Sequence, residues 1–396
     1  MRLRLFDTAR QRVVDFYPSA TFRAYVCGIT PYDSAHIGHA MNFLSYDILS
    51  RRLEQKGHKV YLVRNVTDVD DSILPKAREL GVHYLDLAAS ELEQFTNDMK
   101  ALGIRPPQAE PRATESMDQI IELIQALIDD RHTYTLNDTV YFAITTFPGY
   151  GALSGYSERL MSRLSLDRGG DGPHQGKQHE LDFVLWKPSA PEEPEWDSPF
   201  GKGRPGWHIE CSAMAIHAHG STLDLHGGGT DLVFPHHECE RAQSEAATGR
   251  PFARHWMHCG VVTMAGEKMS KSLGNIVFVR DLLKEYEGPV IRLALMSQHY
   301  RRGFEWQPDA LPSAQERLRR LEAAGRGNGG ADPRPYLARA EAALDDDLNV
   351  PRALDELDGL AGSILAGGPD EAAPSALAAA LADLGVDLDT PPKDFQ

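Results

Sequence analysis

A chain of 396 residues, 42% hydrophobic and 25% charged, can bury a large core and divide into two or three domains. Its net charge of −16 excludes a protein whose whole surface grips nucleic acid, because neutralising phosphate needs clustered lysine and arginine. No run of about 18 uncharged apolar residues is present to span a bilayer, and the opening Met1-Arg-Leu-Arg-Leu-Phe-Asp7 lacks the apolar stretch of a signal peptide. The expectation is a monomeric, cytoplasmic protein away from membranes. In that reducing setting Cys27, Cys211, Cys239 and Cys259 point to metal binding or chemistry rather than to disulfides.

Residues 22–27 read as an apolar strand, followed by a glycine turn, a helical pattern over about 35–56 and a second strand over 59–65. Strand, glycine turn, helix and strand open a βαβ unit, so the expected fold is α/β with a Rossmann-like, mostly parallel sheet that binds nucleotides at its carboxyl edge. Residues 84–131 read as helical. Residues 165–206, with paired glycines and a proline- and glutamate-rich run, read as irregular structure covering a site. Together these make a helical and loop insertion over about 84–206. Sheet patterning returns at 222–226. Residues 311–396 are rich in alanine and leucine, broken by glycines at 325–330 and 367–368, and predict a bundle of amphipathic helices. Acids outnumber bases two to one there, which repels a polyanion.

Two motifs carry phosphate chemistry. His36-Ile-Gly-His39 lies where the first helix should begin, with both imidazoles on one helical face and free N–H groups ready for phosphate. Lys268-Met-Ser-Lys-Ser272 offers two ammonium groups that can clamp a triphosphate and stabilise charge as the α-phosphate is attacked. The histidine motif alone is weak and the lysine motif stronger; both, in this order at opposite ends of a nucleotide-type sheet, are not coincidence.

These motifs occur with Tyr25-Val-Cys-Gly28, Asn65-Val-Thr-Asp-Val-Asp-Asp71, Pro205-Gly-Trp-His-Ile-Glu-Cys-Ser212 and Gly227-Gly-Gly-Thr-Asp-Leu-Val-Phe-Pro-His-His237. Over roughly the first 310 residues the chain resembles the class I aminoacyl-tRNA synthetases, and within them the cysteinyl branch. The resemblance implies a HUP-type catalytic domain over 1–310, a helical bundle over 311–396, ATP with Mg2+ as substrate, and His36, His39, Lys268 and Lys271 as catalytic residues. It also implies zinc held by Cys27 at the end of the first strand, Cys211 in a second loop, and His236 and Glu240, four apart on one helical face. Thiolate, imidazole and carboxylate donors suit tetrahedral zinc, which prefers sulfur to oxygen and so selects cysteine over serine. Glu240 is either a direct ligand or a neighbour of the ligands that leaves one position for substrate sulfur; Cys239 and Cys259 are read as structural. By the same resemblance Trp207 walls the cysteine pocket, Gly28 and Thr67 meet its amino and carboxylate groups, Gly229, Thr230 and Asp231 suit a ribose, and Val262 borders adenine. Ile29, Thr30, Asn42, Asn65 and Val66 complete the substrate-binding positions.

The acceptor divides two groups of relatives. Cysteinyl-tRNA synthetases continue past the bundle into an anticodon-reading domain, which is not expected here. The shorter mycothiol ligases join cysteine to the amine of the amino sugar glucosaminyl-inositol through the same adenylate. Gly28-Ile-Thr-Pro-Tyr-Asp33 and Asp167-Arg-Gly-Gly-Asp-Gly172 resemble the ligases, and a loop with an arginine and two acids suits a sugar amine, whose ammonium a carboxylate can hold. Asn42, Glu240, Pro111-Arg-Ala-Thr-Glu115 and Lys271-Ser-Leu-Gly-Asn275 resemble the tRNA enzymes. The expected acceptor is the amino sugar; the alternative is cysteine tRNA, served by a cysteine–tRNA ligase or its stand-alone catalytic form. A silent binding protein would have broken motifs, and these are intact.

Overall fold

The computed structural model describes residues 2–264, 266–269, 274–307 and 309–388, with Lys268 as backbone only. The chain opens with an antiparallel hairpin, β1 (Arg4–Asp7) and β2 (Arg12–Asp15). Its first strand is pinned to the far end of the sequence: Arg4 N donates to Asp345 O at 2.8 Å, Asp347 N to Arg4 O at 2.9 Å and Phe6 N to Asp347 Oδ1 at 2.8 Å.

The expected βαβ unit follows as β3 (Thr21–Ile29), α1 (Ile37–Gln55) and β4 (Lys59–Val66), with β3 and β4 parallel. Next come α2 (Ile73–Leu80), α3 (Tyr84–Ala101) and α4 (Met117–Asp129). The helical reading of 84–131 is therefore interrupted: residues 102–116 run beside β4, with Arg64 N donating to Ala109 O (3.1 Å) and Val66 N to Pro111 O (2.9 Å). Pro106, Pro107 and Pro111 explain the break, because proline lacks the N–H a helix needs and restricts the residue before it.

A second departure lies further along. β5 (Thr133–Leu136), β6 (Thr139–Phe142), α5 (Glu158–Asp167), β7 (Phe183–Lys187) and β8 (Arg204–Pro205) place an antiparallel sheet of order β5-β6-β7-β8 where helix and loop were expected. Strands of two to five residues are too short for a period to show. Tertiary packing holds them, with Phe142 and Phe183 stacked at 4.9 Å and Trp186 fully buried.

The chain then returns through α6 (Trp207–His219), β9 (Leu225–Gly229), a turn at 230–237, α7 (Glu238–Thr248) and β10 (Trp256–Cys259). The main sheet has the order β10-β9-β3-β4 and is parallel throughout. Along β3, Phe22, Ala24 and Val26 pack into one core with α1, while Tyr25 and Cys27 pack into the other with α4 and α6. Because β3 pairs with β4 on one side and β9 on the other, the loops leaving their carboxyl ends diverge, and a crevice opens there.

β11 (Val262–Met264), β12 (Glu267–Lys268), α8 (Val279–Leu282), α9 (Gly288–Met296) and β13 (Phe304–Glu305) lead to four helices, α10 (Ala310–Gly325), α11 (Arg334–Leu344), α12 (Val350–Leu365) and α13 (Ala373–Asp383). Leu311, Ala314, Leu318 and Leu321 form the buried stripe of α10 at helical spacing. Arg292 of α9, wholly buried, donates to Asp47 Oδ2 (2.7 Å), Leu384 O (2.8 Å) and Leu102 O (3.0 Å), joining α1 to the ends of α13 and α3. Among the described residues no helix is long and apolar enough to cross a membrane.

Candidate active site

The crevice at the switch between β3 and β9 holds a cavity of about 210 Å³. His36 caps α1: its Nδ1 accepts from Gly38 N (3.1 Å) and His39 N (3.3 Å), and its ring stacks on His39 with centroids 3.8 Å apart. The spacing in His36-Ile-Gly-His39 thus serves both a helix cap and a paired imidazole face. Backbone bonds from Ile37 N to Val277 O (3.0 Å) and Val279 N to Ala35 O (2.9 Å) tie the start of α1 to the segment after Lys268-Met-Ser-Lys-Ser272. Lys268 contributes only its backbone in β12, and Lys271 lies outside the described residues.

The cavity brings together Cys27, Gly28, His36, His39, Asn42, Gly229, Asp231 and Val262. Asn42 Oδ1 is buried there with no hydrogen-bond partner among the described residues. Thr230 opens the turn beside Asp231. Other expected contacts lie beneath the cavity. Asn65 Oδ1 accepts from Gly28 N at 2.8 Å, and Asn65 Nδ2 donates to Thr67 Oγ1 at 3.0 Å. Gly28 must be glycine, since a Cβ would stand 1.7 Å from Asn65 O. Thr30 Oγ1 donates to Asp70 Oδ2 at 3.1 Å. The side chains of Ile29 and Val66 belong to the core, where the two residues pair between β3 and β4. They shape the strand ends rather than line the cavity.

At the cavity floor, donor atoms of Cys27, Cys211, His236 and Glu240 lie within 4.8 Å of one another, all four residues buried. Cys211, expected in a loop, is on the second turn of α6, and the register of that helix aims it at the end of β3. His236 Nε2 lies 3.0 Å from Glu240 Oε1, and Cys27 Sγ 3.3 Å from the same oxygen. The Trp207 ring packs on His236 at 4.1 Å between centroids. Burial works against the Cys211 thiolate, but the hydrogen bond from Cys27 and the charge of His236 outweigh it and bring the thiol down to about 6. Burial likewise opposes a charged His236, yet Glu240 and Cys211 raise it to about 10. Glu240, despite burial, is held well below the ordinary carboxylate value by His226 and His236. Cys27 goes the other way, pushed well up by burial and by Cys211.

The fit to a divalent cation rests on this donor set and on one neighbour. Two sulfurs, an imidazole nitrogen and a carboxylate oxygen converge from four buried residues, the composition of a small tetrahedral site. The Tyr25 hydroxyl is buried against Cys211 and makes no hydrogen bond of ordinary geometry, as a donor awaiting a thiolate would.

Sequence reasoning missed the histidines behind the cluster. His226, His237, Cys27 and Glu240 form an overlapping buried group. His226 Nε2 lies 2.9 Å from Glu240 Oε2, and His237 Nε2 3.3 Å from Cys27 Sγ. His237 Nδ1 then bonds to His258 Nε2 at 2.8 Å, and His258 Nδ1 to Thr8 Oγ1 of the hairpin turn at 2.7 Å. Burial and His226 keep His237 well below its usual value and His258 near 3, so both rings are neutral. The adjacent pair His236-His237 was the available signal.

Over residues 15–316 the chain matches the family described as tRNA synthetases class I (C) catalytic domain. It is 47% identical over 373 residues to the L-cysteine:1D-myo-inositol 2-amino-2-deoxy-alpha-D-glucopyranoside ligase of Thermobispora bispora, covering 94% of this chain and 92% of that protein. Proteins of the same name from Streptosporangium roseum and Thermobifida fusca are 47% identical over 389 residues (98% and 96% covered) and 45% identical over 391 residues (98% and 95% covered). Among solved structures, a methionyl-tRNA synthetase of Mycobacterium tuberculosis with methionyl-adenylate superposes with a TM-score of 0.63 at 16% identity, covering 92% of this chain and 89% of that one. A leucyl enzyme of Agrobacterium radiobacter K84, in complex with tRNA, gives 0.65 at 12% identity, covering 93% and 84%. Identities this low speak to the fold alone, which is the α/β, Rossmann-like parallel sheet expected. The chain belongs to the L-cysteine:1D-myo-inositol 2-amino-2-deoxy-alpha-D-glucopyranoside ligase family, built on the class I (C) tRNA synthetase catalytic domain.

Proposed function

We propose that this protein activates L-cysteine with ATP, forming cysteinyl-adenylate and pyrophosphate, and transfers the cysteinyl group to the amine of glucosaminyl-inositol with release of AMP, a step of mycothiol biosynthesis. The observation that carries the reading is the buried Cys27, Cys211, His236 and Glu240 cluster opening through Cys27 into a nucleotide-type cavity. Zinc held by these four residues would supply a soft Lewis acid that takes a thiolate in preference to a hydroxyl.

The remaining work falls to the chain's own groups. Trp207, packed on His236, narrows the pocket to a small side chain. Gly28 and Thr67, joined through Asn65, hold the amino acid's amino and carboxylate groups. Asp231 accepts from ribose hydroxyls between Gly229 and Thr230, Asn42 Oδ1 takes a donor from the nucleotide, and Val262 borders adenine. With ATP and its Mg2+ in place, the cysteine carboxylate attacks the α-phosphorus in line and pyrophosphate leaves. His36 and His39, stacked at the positive end of α1, and the ammonium groups of Lys268 and Lys271 stabilise the charge that builds on the phosphate. The acceptor amine then attacks the activated carbonyl, forming the amide as AMP departs.

Preformed cysteinyl-adenylate on the enzyme, chased separately with glucosaminyl-inositol and with cysteine tRNA, tests this reading. Consumption by the amino sugar alone is expected. Charging of tRNA alone would replace it with a synthetase function.

A further inference from the structure

Residues 168–182, which follow α5, take a path that their glycines permit. Gly169 and Gly172 have φ of +89° and +66°, and a Cβ on Gly170 would stand 2.3 Å from Ser165 Oγ and 2.8 Å from Ser165 O. Gly170 N donates to Ser165 O at 2.8 Å, so the chain doubles back on the end of α5. The Arg168 guanidinium donates to two main-chain carbonyls, those of Asp231 and Phe234, in the turn between β9 and α7. Asp231 lines the nucleotide cavity, and Phe234 lies two residues before His236. At its other end the loop is anchored to the insertion sheet: Asp171 accepts from Tyr141 of β6 at 2.6 Å, from Lys177, and shares a bond of 3.1 Å with His174. Burial would raise the Asp171 carboxyl, but Lys177 and Tyr141 hold it below its ordinary value. Its charge is already paired with Lys177 inside the loop.

We infer that Arg168 is a positioning residue for the transfer step: it clamps the Gly169-Gly170 backbone against the Asp231–His236 turn, making a wall that a polyhydroxylated primary amine meets on its way to the activated carbonyl. The inference rests on the amino-sugar reading above. Three features support it. Arg168 Nη1 serves both carbonyls, held in place by the planar guanidinium, an orientation that a flexible lysine ammonium keeps less well. The activation groups are fixed independently: His36 and His39 by the α1 cap, and the cluster by its own contacts. A Cβ built on Gly169 would meet nothing within 4 Å, so the peptide there faces open space, where its polar groups can hydrogen-bond sugar hydroxyls.

The test compares the metal-loaded wild type with Arg168→Met, Arg168→Lys and Tyr141→Phe. Three quantities are followed: cysteine-dependent exchange of pyrophosphate into ATP, single-turnover transfer from preformed adenylate to glucosaminyl-inositol, and subtilisin cleavage within residues 168–177. Arg168→Met should keep exchange within about threefold of wild type, while kcat/KM for the amino sugar falls roughly ten- to a hundredfold, the range for losing hydrogen bonds from a charged donor. Cleavage of the loop should accelerate. Arg168→Lys should recover part of the loss, and Tyr141→Phe should show a smaller loss in the same direction. Equal losses in exchange and transfer would make Arg168 a prop for the nucleotide segment, and unchanged transfer with unchanged cleavage would remove its role; either overturns the inference. Wild-type enzyme that exchanges pyrophosphate but never acylates the amino sugar would sink the acceptor reading instead, and the cleavage contrast would still decide whether Arg168 clamps the loop.

Discussion

Buried charge gathers both around Asp47 on α1 and around Glu240 on α7, and the bonding differs between the two places. Around Asp47 the bonding is closed: Arg292 uses Nε, Nη1 and Nη2, and Arg51 (2.9 Å) and Arg105 (3.0 Å) hold the carboxylate as well. Around Glu240 it is strained toward unusual charge states, with a thiol brought down to about 6, an imidazole raised to about 10 and a tyrosine hydroxyl left without an ordinary bond. The first arrangement fastens α1, α9 and the end of α13; the second brings together donors that could hold a cation. Buried charge by itself says little about function. The state of the bonding around it tells the two apart.

The contrast can be broken most sharply at Cys211. Cys211→Ser should release the metal and cut cysteine-dependent pyrophosphate exchange by roughly a thousandfold, with unfolding in urea little changed. Full activity with metal retained would end the assignment. Arg292→Met should do the reverse, lowering stability by about 3–5 kcal/mol, since it leaves the buried Leu102 and Leu384 carbonyls without their donor and takes one of three arginines from Asp47, while exchange per folded molecule stays at the wild-type level. Equal stability would show that the Asp47 network is not a fastening. Thr8→Val, which cuts the Thr8–His258–His237 chain behind Cys27, should weaken metal binding by about tenfold in a chelator competition, since groups behind metal ligands orient them. No change would confine that chain to packing.

The smallest effect concerns acid. Burial would raise the Asp47 carboxyl, but Arg292 and Arg51 hold it below its ordinary value. Its contribution to stability is therefore complete above the unfolded value of about 4 and is lost as pH falls through the lower native value. Arg292→Met should flatten the decline in stability below about pH 4. An unaltered slope would place the acid sensitivity in other carboxylates.

What the sequence disclosed was local or periodic. The unit β3-α1-β4 followed from an apolar strand, a glycine turn and a helical pattern, and the His36-Ile-Gly-His39 spacing matches a cap and a ring stack that lie within four residues. The four cluster residues came from resemblance to a family. The histidines behind them were hidden because the contacts of His226, His237 and His258 depend on strand pairing between β9 and β10 and on a turn, which no short window reports. The sheet of β5 to β8 was hidden because its strands are brief, and the run 102–116 because its prolines signal an end of helix without saying which strand the chain then follows. Cys211 was misplaced for a related reason: the helix α6 that carries it is buried on several sides and shows no clean amphipathic stripe.

The hairpin at the start of the chain also sets an order of assembly. Arg4 meets Asp346 across 342 positions, a contact with a high loop-closure entropy that depends on the docking of distant helices. Thr8 rides on that hairpin. The residues of the cluster are all present once His258 has been synthesised, and Thr8 N can then bond to Trp256 O (2.9 Å), yet the other side of the hairpin, at Arg4, has no partners until residues 345–347 have emerged and folded back. A nascent chain paused before that point has all four cluster residues in hand and the hairpin behind them held on one side.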